Sequence, residues 1–218
     1  MRSILIGLMM TATGFAAVAE DFVAGQHYIP VDPPQPTRDS SRVEVVEVFS
    51  YACPHCASFQ PYVEAWMEKD PGNIDFQRLP AVFRPNWEPL ARAYYVGEIL
   101  NVLDDTHMTI FDAMHKEKRN LFNPDEIKAV FAEHGIDEST YDSTAKSFAV
   151  ETRMRRGDQL VRRYGIQGTP SIIVNGKWRV STRTAGGGYD KMLDVVSHLI
   201  EMESATIAPA VASEDAGR

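Results

Sequence analysis

Both cysteines of the 218-residue chain, Cys53 and Cys56, lie in one short stretch with two residues between them. The stretch just before them, residues 43–50, is rich in β-branched side chains and predicts a buried strand. The stretch just after them, residues 57–69, has apolar side chains at helical spacing. The pair is therefore expected where a strand passes into a helix, with both sulfurs on one face of the first helical turn.

Cys53 is expected at the N-cap of this helix, with Pro54 at the first helical position, where a missing backbone N–H does no harm. The free N–H groups of the first turn and the positive end of the helix dipole favour a thiolate on Cys53. His55 can add a donor or a positive charge and so lower the pKa of Cys53. A low pKa makes the disulfide with Cys56 a better oxidant, because only the reduced form gains the free energy of the thiolate. The stretch indicates a dithiol oxidoreductase.

Two other roles for the cysteine pair stay open at this point. A C-x-x-C pair can be half of a zinc site, but the chain has no second cysteine pair, and no two of its six histidines have the spacing of a zinc finger. We therefore predict no metal. The pair can also be a structural disulfide, although a bridge that closes so short a loop removes little chain entropy.

The N-terminus predicts export. Arg2 is followed by an apolar run at residues 4–18, and residues 17–19 read Ala-Val-Ala, the layout of a signal peptide that is cleaved after Ala19. A membrane anchor is the alternative, but the run is shorter than the roughly 18 to 20 apolar residues of a spanning helix and polar residues interrupt it. Export leads to an oxidising compartment, which suits a protein whose two thiols cycle.

The charge and composition of the chain indicate which partners to exclude and how its segments are arranged. The net charge of -8 argues against nucleic acid or an anionic membrane as the main partner. Four prolines at residues 30–36 predict an extended connector after a short edge strand at 22–28. The predicted layout is a signal peptide at 1–19, the first part of an α/β domain at 20–84, a helical insertion at 85–160, the second part of the domain at 161–202 and a flexible tail at 203–218.

The helical insertion is predicted between a β-α-β unit and a β-hairpin. Residues 74–82 predict a strand parallel to the one at 43–50. Strands at 171–174 and 178–180 flank Asn175-Gly176, a strong signal for a tight antiparallel hairpin. Helices are predicted at 88–103, 106–117, 124–134, 138–148 and 150–164, with a final one at 189–202.

Together these features resemble the DsbA family of periplasmic thiol-disulfide oxidoreductases, within the thioredoxin superfamily. The resemblance covers nearly all of the chain after residue 19. It implies an α/β thioredoxin fold, a mixed β-sheet flanked by helices, with an inserted all-helical domain. The residues that carry it are the signal peptide, Cys53-Pro54-His55-Cys56, Gly168-Thr169-Pro170 before a strand, and the Asn175-Gly176 hairpin.

The resemblance also implies roles for site residues. Cys53 matches the exposed nucleophile and Cys56 the buried resolving thiol, while His55 would stabilise the Cys53 thiolate. Thr169-Pro170 matches a loop with a cis peptide bond that faces the disulfide, and its backbone would pair with an extended substrate peptide. The family often has valine before this proline, so Thr169 is a departure that bears on redox strength and substrate preference.

Glu47 matches a buried acid of the family that helps to move the proton of the resolving cysteine. On the predicted strand it shares a face with apolar residues, which favours burial and a raised pKa. The alternative is a glutamate that reaches solvent at the strand edge. The family's basic partner for this acid has no clear counterpart, and neither Gln77 nor Arg78 is assigned to it.

The function implied by the resemblance is a periplasmic oxidase that donates the Cys53–Cys56 disulfide to exported, folding proteins. It needs no metal or organic cofactor, works as a monomer and is reoxidised by a quinone-linked membrane partner like DsbB. One alternative is a disulfide isomerase or reductase of the same fold, commonly dimeric; we expect no separate N-terminal dimerisation domain here, which argues against it. The other is a non-catalytic chaperone that binds peptides in the same groove.

Overall fold

The computed structural model of the protein describes residues 22–207. The predicted signal peptide and residues 208–218 of the predicted tail lie outside the described residues. The strands of the described part are β1 (Ile29–Pro30), β2 (Val43–Phe49), β3 (Ile74–Pro80), β4 (Ser171–Val174) and β5 (Trp178–Val180). Its α-helices are α1 (Pro54–Glu68), α2 (Glu88–Ile99), α3 (Leu103–His115), α4 (Pro124–Glu133), α5 (Glu138–Ala145), α6 (Phe148–Arg163), α7 (Thr182–Ala185) and α8 (Tyr189–Ile207).

One mixed sheet has the strand order β1-β5-β4-β2-β3, and its central strand β2 leads directly to the cysteines. β2 runs parallel to β3 and antiparallel to β4, as the predicted β-α-β unit and hairpin require. All seven residues of β2 are buried, because helices cover both faces of the sheet. Val43 and Val45 pack with α1 and α8 on one face, whereas Val46 and Val48 pack with α6 on the other.

The predicted hairpin is confirmed at the turn between β4 and β5. Asn175 and Gly176 both have positive φ values, 51° and 64°, as the tight turn requires. The proline-rich connector packs directly on this turn: the backbone N–H of Gln35 donates to the carbonyl of Gly176 (2.9 Å). A side chain at position 176 would overlap the carbonyl oxygen of Gln35, so the close approach requires glycine.

The prediction of an edge strand at residues 22–28 is wrong. Residues 23–28 fold into turns, in which the N–H of Gly25 donates to the carbonyl of Tyr28 and the N–H of His27 to that of Val23. The short strand that pairs with β5 is Ile29–Pro30 instead. The local hydrogen bonds of the turns use donors and acceptors that an edge strand would offer to the sheet.

The prediction that the last helix ends at Met202 and a flexible tail begins at residue 203 is also wrong for the described residues. Helix α8 continues to Ile207, and Glu203 is buried. The carboxylate of Glu203 accepts hydrogen bonds, all of 2.7 Å, from the side chains of Asn175, Lys177 and Trp178. These bonds to the hairpin hold the additional turn of the helix in place.

The five predicted helices of the insertion correspond to α2–α6, but their ends differ. The helix predicted to continue to residue 103 ends at Ile99, because Asn101 adopts a φ of 56°, and α3 begins at Leu103. The boundary expected at residue 160 lies inside α6, whose Val161 packs on the sheet. None of the helices between residues 22 and 207 is long and apolar enough to cross a membrane.

The core of the helical block reaches the sheet at the cysteines. One cluster of buried side chains contains Phe49, Tyr51, Cys53 and Cys56 together with residues of α2–α6 such as Phe111. The two sulfurs therefore lie where the core of the helical block meets the end of the central strand.

Candidate active site

The cysteine pair lies at the start of α1, as predicted. Cys53 is the N-cap residue with an extended backbone (φ -93°, ψ 112°), and Pro54 is the first helical residue. The backbone N–H groups of Cys56 and Ala57 donate to the carbonyl of Cys53 at 3.0 and 3.2 Å, which closes the first turn. This turn brings the two side chains together, and both are free thiols in the structure.

The two thiols are more deeply covered than the predicted exposed nucleophile implies. Cys56 has no exposed surface, and Cys53 retains only 8% exposure. The loop before β4 covers Cys53: its sulfur lies 3.4 Å from the carbonyl oxygen of Thr169. The Thr169–Pro170 peptide bond is cis, as the family resemblance implies. Cys53 is thus the more accessible thiol of the pair, although only a narrow part of it reaches solvent.

The two thiols have opposite pKa shifts. The hydrogen bond from the Cys56 side chain is the largest cause that lowers the pKa of Cys53 to about 5; burial opposes it, and the Thr169 side chain and the backbone N–H groups of the first turn assist it. Burial raises the pKa of Cys56 well above the usual thiol value, and its hydrogen bond to Cys53 raises it further. At neutral pH the pair is therefore a Cys53 thiolate that accepts a hydrogen bond from a Cys56 thiol.

His55 acts on Cys53 through its backbone. Its N–H is among the groups that lower the pKa of Cys53, and the residue itself is exposed on the surface. The carbonyl of His55 accepts a hydrogen bond from the hydroxyl of Tyr189 on α8 (3.0 Å), which fixes the turn against the sheet domain. The peptide N–H of His55 is thus one donor to the Cys53 sulfur, while the role expected of its imidazole stays a prediction.

Glu47 is buried, so the alternative of a solvent-exposed glutamate is wrong. Its side chain has no exposed surface, and one carboxylate oxygen accepts from Nε of Arg78 (3.2 Å). The other accepts from Nε2 of Gln60 (2.7 Å). Burial raises the pKa of Glu47, while the charge of Arg78 and the two hydrogen bonds partly oppose it.

Arg78 is the basic partner that the sequence left unassigned, whereas Gln77 donates to Glu44 instead. The parallel register of β2 and β3 pairs Glu47 directly with Arg78, so a register derived from the two strands could have identified it. Gln60, four residues after Cys56, was also missed, although helical spacing places it below that cysteine.

A polar cavity of about 310 Å³ opens along the loop before β4, and Thr169, which contacts Cys53, is part of its lining. Thr169, Pro170, Ser181 and Arg183 contribute to its lining. Among the described residues, no cluster of three or more histidine, cysteine, aspartate or glutamate side chains could hold a metal ion. The site that the fold brings together is thus a thiol pair covered by the loop before β4, with a polar groove along the same loop and a buried carboxylate behind the thiols.

Comparison with known protein families shows which family this chain belongs to. The family model of the DSBA-like thioredoxin domain matches residues 78–199, a region that begins after both cysteines. The chain belongs to the DSBA-like thioredoxin domain family. Since the match lies entirely outside the cysteine motif, it is independent of the argument from the thiols.

Relatives extend the similarity to the cysteines. The chain is 36% identical over 208 residues to the thiol:disulfide interchange protein DsbA of Pseudomonas aeruginosa, covering 94% of this chain and 98% of the relative. It is 34% identical to DsbA of Azotobacter vinelandii, covering 93% of this chain and 98% of that protein. The crystal structure of P. aeruginosa DsbA superposes with a TM-score of 0.79 at 36% identity, covering 86% of this chain and 97% of that one.

The predicted fold class and activity are therefore confirmed. The protein has a thioredoxin-like fold with a helical insertion, and it is a thiol:disulfide oxidoreductase of the DsbA family.

Proposed function

We propose that this DsbA-family protein is an oxidase that donates the Cys53–Cys56 disulfide to exported proteins as they fold. The observation that carries the proposal is the placement of Cys53 at the N-cap of α1 beside a fully buried Cys56, which lowers the pKa of Cys53 to about 5 and raises that of Cys56. Free energy that stabilises the Cys53 thiolate is lost when the disulfide forms. The disulfide is therefore driven toward reduction, which means that it oxidises other dithiols.

The exchange proceeds in two displacements. A substrate thiolate attacks the sulfur of Cys53, the S–S bond breaks, and Cys56 leaves and takes up a proton. A second substrate thiolate then attacks the substrate sulfur of the mixed disulfide and releases Cys53 as a stabilised thiolate. The substrate loses two electrons and gains a disulfide, and the enzyme is left as the dithiol.

Glu47 serves as the proton store for Cys56 in this scheme. Burial raises its pKa, so it holds and releases a proton closer to neutral pH than an ordinary glutamate does. Gln60 bonds Glu47 and also lies 3.5 Å from the carbonyl of Cys56, so the carboxylate is one side chain away from the backbone of the leaving thiol. Pro54 and His55 shape the turn that presents the first sulfur.

The backbone of Thr169 would pair with an extended substrate peptide, as a strand added to the loop. Its carbonyl lies beside the Cys53 sulfur, and the polar cavity next to it offers room for side chains that flank a substrate cysteine. Pro170 has no backbone N–H, so no donor at this position competes for the carbonyl groups of a paired peptide.

The periplasm is the compartment that fits this activity, after removal of residues 1–19. We further propose that the protein is a monomer and that a quinone-linked membrane oxidase like DsbB reoxidises it. Light scattering of the mature protein tests the monomer, and a mass above that of one chain contradicts it.

Equilibration with glutathione at several ratios tests the direction of the reaction. We expect a reduction potential well above the roughly -270 mV typical of thioredoxin. A potential as low as thioredoxin's contradicts the oxidase and favours a reductase. If a variant that lacks both cysteines still assists the folding of exported proteins as well as the wild type does, the protein is a peptide-binding chaperone instead.

Single alanine variants test the order of attack. Cys56→Ala is expected to accumulate mixed disulfides through Cys53, because no second thiol is present to release the substrate. Cys53→Ala is expected to form none and to lose disulfide transfer. Mass spectrometry of trapped complexes reads out the linked residue, and mixed disulfides on Cys56 in the Cys53→Ala protein reverse the assignment.

A further inference from the structure

Behind the cysteines, four buried polar side chains form a continuous row of hydrogen bonds. Tyr51, His107, Gln60 and Glu47 all have exposures of 4% or less. The hydroxyl of Tyr51 lies 2.8 Å from Nδ1 of His107, and Nε2 of His107 lies 3.2 Å from Oε1 of Gln60. Nε2 of Gln60 lies 2.7 Å from Glu47. The row connects α3 of the helical block to the central strand through α1.

The chemistry of the carboxylate fixes the direction of every bond in the row. An ionised Glu47 only accepts hydrogen bonds, so Gln60 must present its NH₂ to Glu47 and its carbonyl oxygen to His107. His107 must then carry its proton on Nε2, which leaves Nδ1 to accept from the hydroxyl of Tyr51. All three donors therefore point toward the carboxylate, and bonds aligned in this way polarise one another.

We propose that His107 and Tyr51 are positioning residues for Glu47, which hold the amide of Gln60 in the one orientation that donates to the ionised carboxylate. The inference rests on the proposed role of Glu47 as proton store. It assigns a part in that role to a histidine of the inserted helical block.

A neutral imidazole suits this task. Burial lowers the pKa of His107 well below its usual value, and the nearby charge of Arg78 lowers it further, so a single tautomer is held at neutral pH. The ring is enclosed by aromatic side chains, including Phe49 and Phe111 with centroids 5.2 Å away, and these offer it no competing hydrogen bond.

The other groups around Glu47 do not replace the row. Arg78 of β3 donates to the opposite carboxylate oxygen, and the hydroxyl of Tyr94 from α2 donates to the backbone carbonyl of Arg78 (3.2 Å). From α1, Nε2 of Gln60 also lies 3.5 Å from the carbonyl of Cys56, and β4 places Ile172 beside Glu47 in the sheet. Gln60 is thus the donor to the carboxylate oxygen of Glu47 that Arg78 does not contact. The orientation of its amide is set by His107, which bonds the amide oxygen.

The test measures the titration of Glu47 directly, by NMR of the full mature protein labelled with ¹³C at the glutamate carboxyls. His107→Phe replaces the imidazole with a phenyl ring, which can still pack against the aromatic neighbours but has no nitrogen to form hydrogen bonds. We expect the Glu47 midpoint to move to higher pH, because a released Gln60 amide no longer stabilises the charge. Tyr51→Phe is expected to raise the Glu47 midpoint by a smaller amount. His107→Gln can still donate to Gln60, so we expect its Glu47 midpoint to return to the wild-type value.

Tyr94→Phe is the matched control, since it keeps the ring that packs on His107, removes one buried hydroxyl that bonds the carbonyl of Arg78, and leaves every hydrogen bond of the row in place. Near-ultraviolet circular dichroism verifies folding of each variant, and Tyr51→Phe carries the test if His107→Phe does not fold. An unchanged Glu47 midpoint in folded His107→Phe overturns the proposal. So does a shift in Tyr94→Phe as large as that in Tyr51→Phe, because it would mark a general effect of the core.

The rate of disulfide transfer separates this inference from the role of Glu47 itself. We expect His107→Phe to slow transfer by about two- to tenfold, the range that corresponds to one ordinary hydrogen bond. Glu47→Gln is expected to slow it more and to make further replacement of His107 without effect. If Glu47→Gln has no effect on the rate, the proton-store role fails, whereas the NMR midpoints still decide whether His107 positions the carboxylate.

Discussion

At the scale of single residues, the sulfur of Cys53 is controlled from across the fold. The largest cause of its low pKa is the Cys56 thiol, and the side chain of Thr169 contributes from the loop before β4. His55 contributes through its backbone N–H, which any residue other than proline retains. Oxidising strength is therefore expected to respond more to substitution at position 169 than to substitution at position 55.

Thr169→Val tests this ranking, because it keeps the shape of the side chain and removes its hydroxyl. We expect the pKa of Cys53 to rise by about one to two units, the effect of one lost hydrogen bond on a charged group. The disulfide should then be harder to reduce, since the thiolate that favours the reduced form is less stable. Ultraviolet absorbance of the thiolate against pH measures the pKa, and a glutathione titration measures the reduction potential.

His55→Ser is the comparison for this variant. It retains the backbone N–H, and we expect a smaller rise in the pKa of Cys53 than Thr169→Val produces. A larger rise in His55→Ser would mean that the imidazole is the main support of the thiolate.

At the scale of elements, the end of α8 is fastened to the β4–β5 hairpin by one carboxylate. Burial disfavours the ionised form of Glu203, but the hydrogen bonds from Lys177, Trp178 and Asn175 outweigh it and leave the pKa of Glu203 below its usual range. Glu203→Ala is expected to lower the free energy of unfolding by about 1 to 3 kcal/mol, because the half-buried indole N–H of Trp178 and amide of Asn175 lose their acceptor. Denaturant melts measure the loss.

The contribution of Glu203 should also depend on pH. A carboxyl with a lowered folded pKa stabilises the fold above its unfolded pKa, and that stabilisation is lost as pH falls through the folded value. The difference in the free energy of unfolding between wild type and Glu203→Ala should therefore be largest near pH 7 and decrease at acid pH. Glu201→Ala, at an exposed position of the same helix, controls for helix propensity; a gap that persists unchanged in acid would contradict the assignment.

The hairpin turn offers a second test at this scale. Gly176→Ala is expected to cost about 2 kcal/mol or more, because it combines a positive φ with overlap of the Gln35 carbonyl. Gly135→Ala has a similar positive φ of 79° but open space around the added methyl group, so it measures the backbone cost alone. Thermal melts of the two variants compare them, and equal losses would show that the connector yields to the methyl group.

The elements that the sequence predicted best are those fixed by local patterns. The β4–β5 hairpin and the start of α1 follow from an Asn-Gly turn and a proline at the first helical position, and both were predicted at the right residues. The end of α8 depends on contacts of Glu203 with a distant hairpin, and no local pattern contains that information. The same holds for His107, whose link to the site exists only after α3 packs on α1 and β2.

At the scale of the whole molecule, the reduced protein should be more stable than the oxidised one at pH 7. Only the dithiol has the Cys53 thiolate, whose pKa of about 5 lies below that of an unfolded thiol. A lowered thiol pKa contributes stability above the unfolded value and loses it as pH falls through about 5. The contribution at pH 7 is at most about 2 to 3 kcal/mol, and short-loop closure by the disulfide offsets part of it.

Calorimetry of both redox forms at pH 7 and pH 5 checks this expectation. The melting temperature of the reduced form should exceed that of the oxidised form at pH 7, and the difference should narrow at pH 5. A clearly higher melting temperature for the oxidised form at pH 7 would identify the bridge as structural.

The contact between Cys53 and Thr169 joins positions 116 residues apart, with the whole helical block between them. As the chain emerges from a ribosome or a translocon, the cysteines appear early and the loop that covers Cys53 appears late. Until that loop arrives, β2 lacks its partner β4 and the sulfur lacks the Thr169 hydroxyl. A nascent chain is thus expected to carry a Cys53 sulfur that the loop does not yet cover, and this part of its control is added only once synthesis is nearly complete.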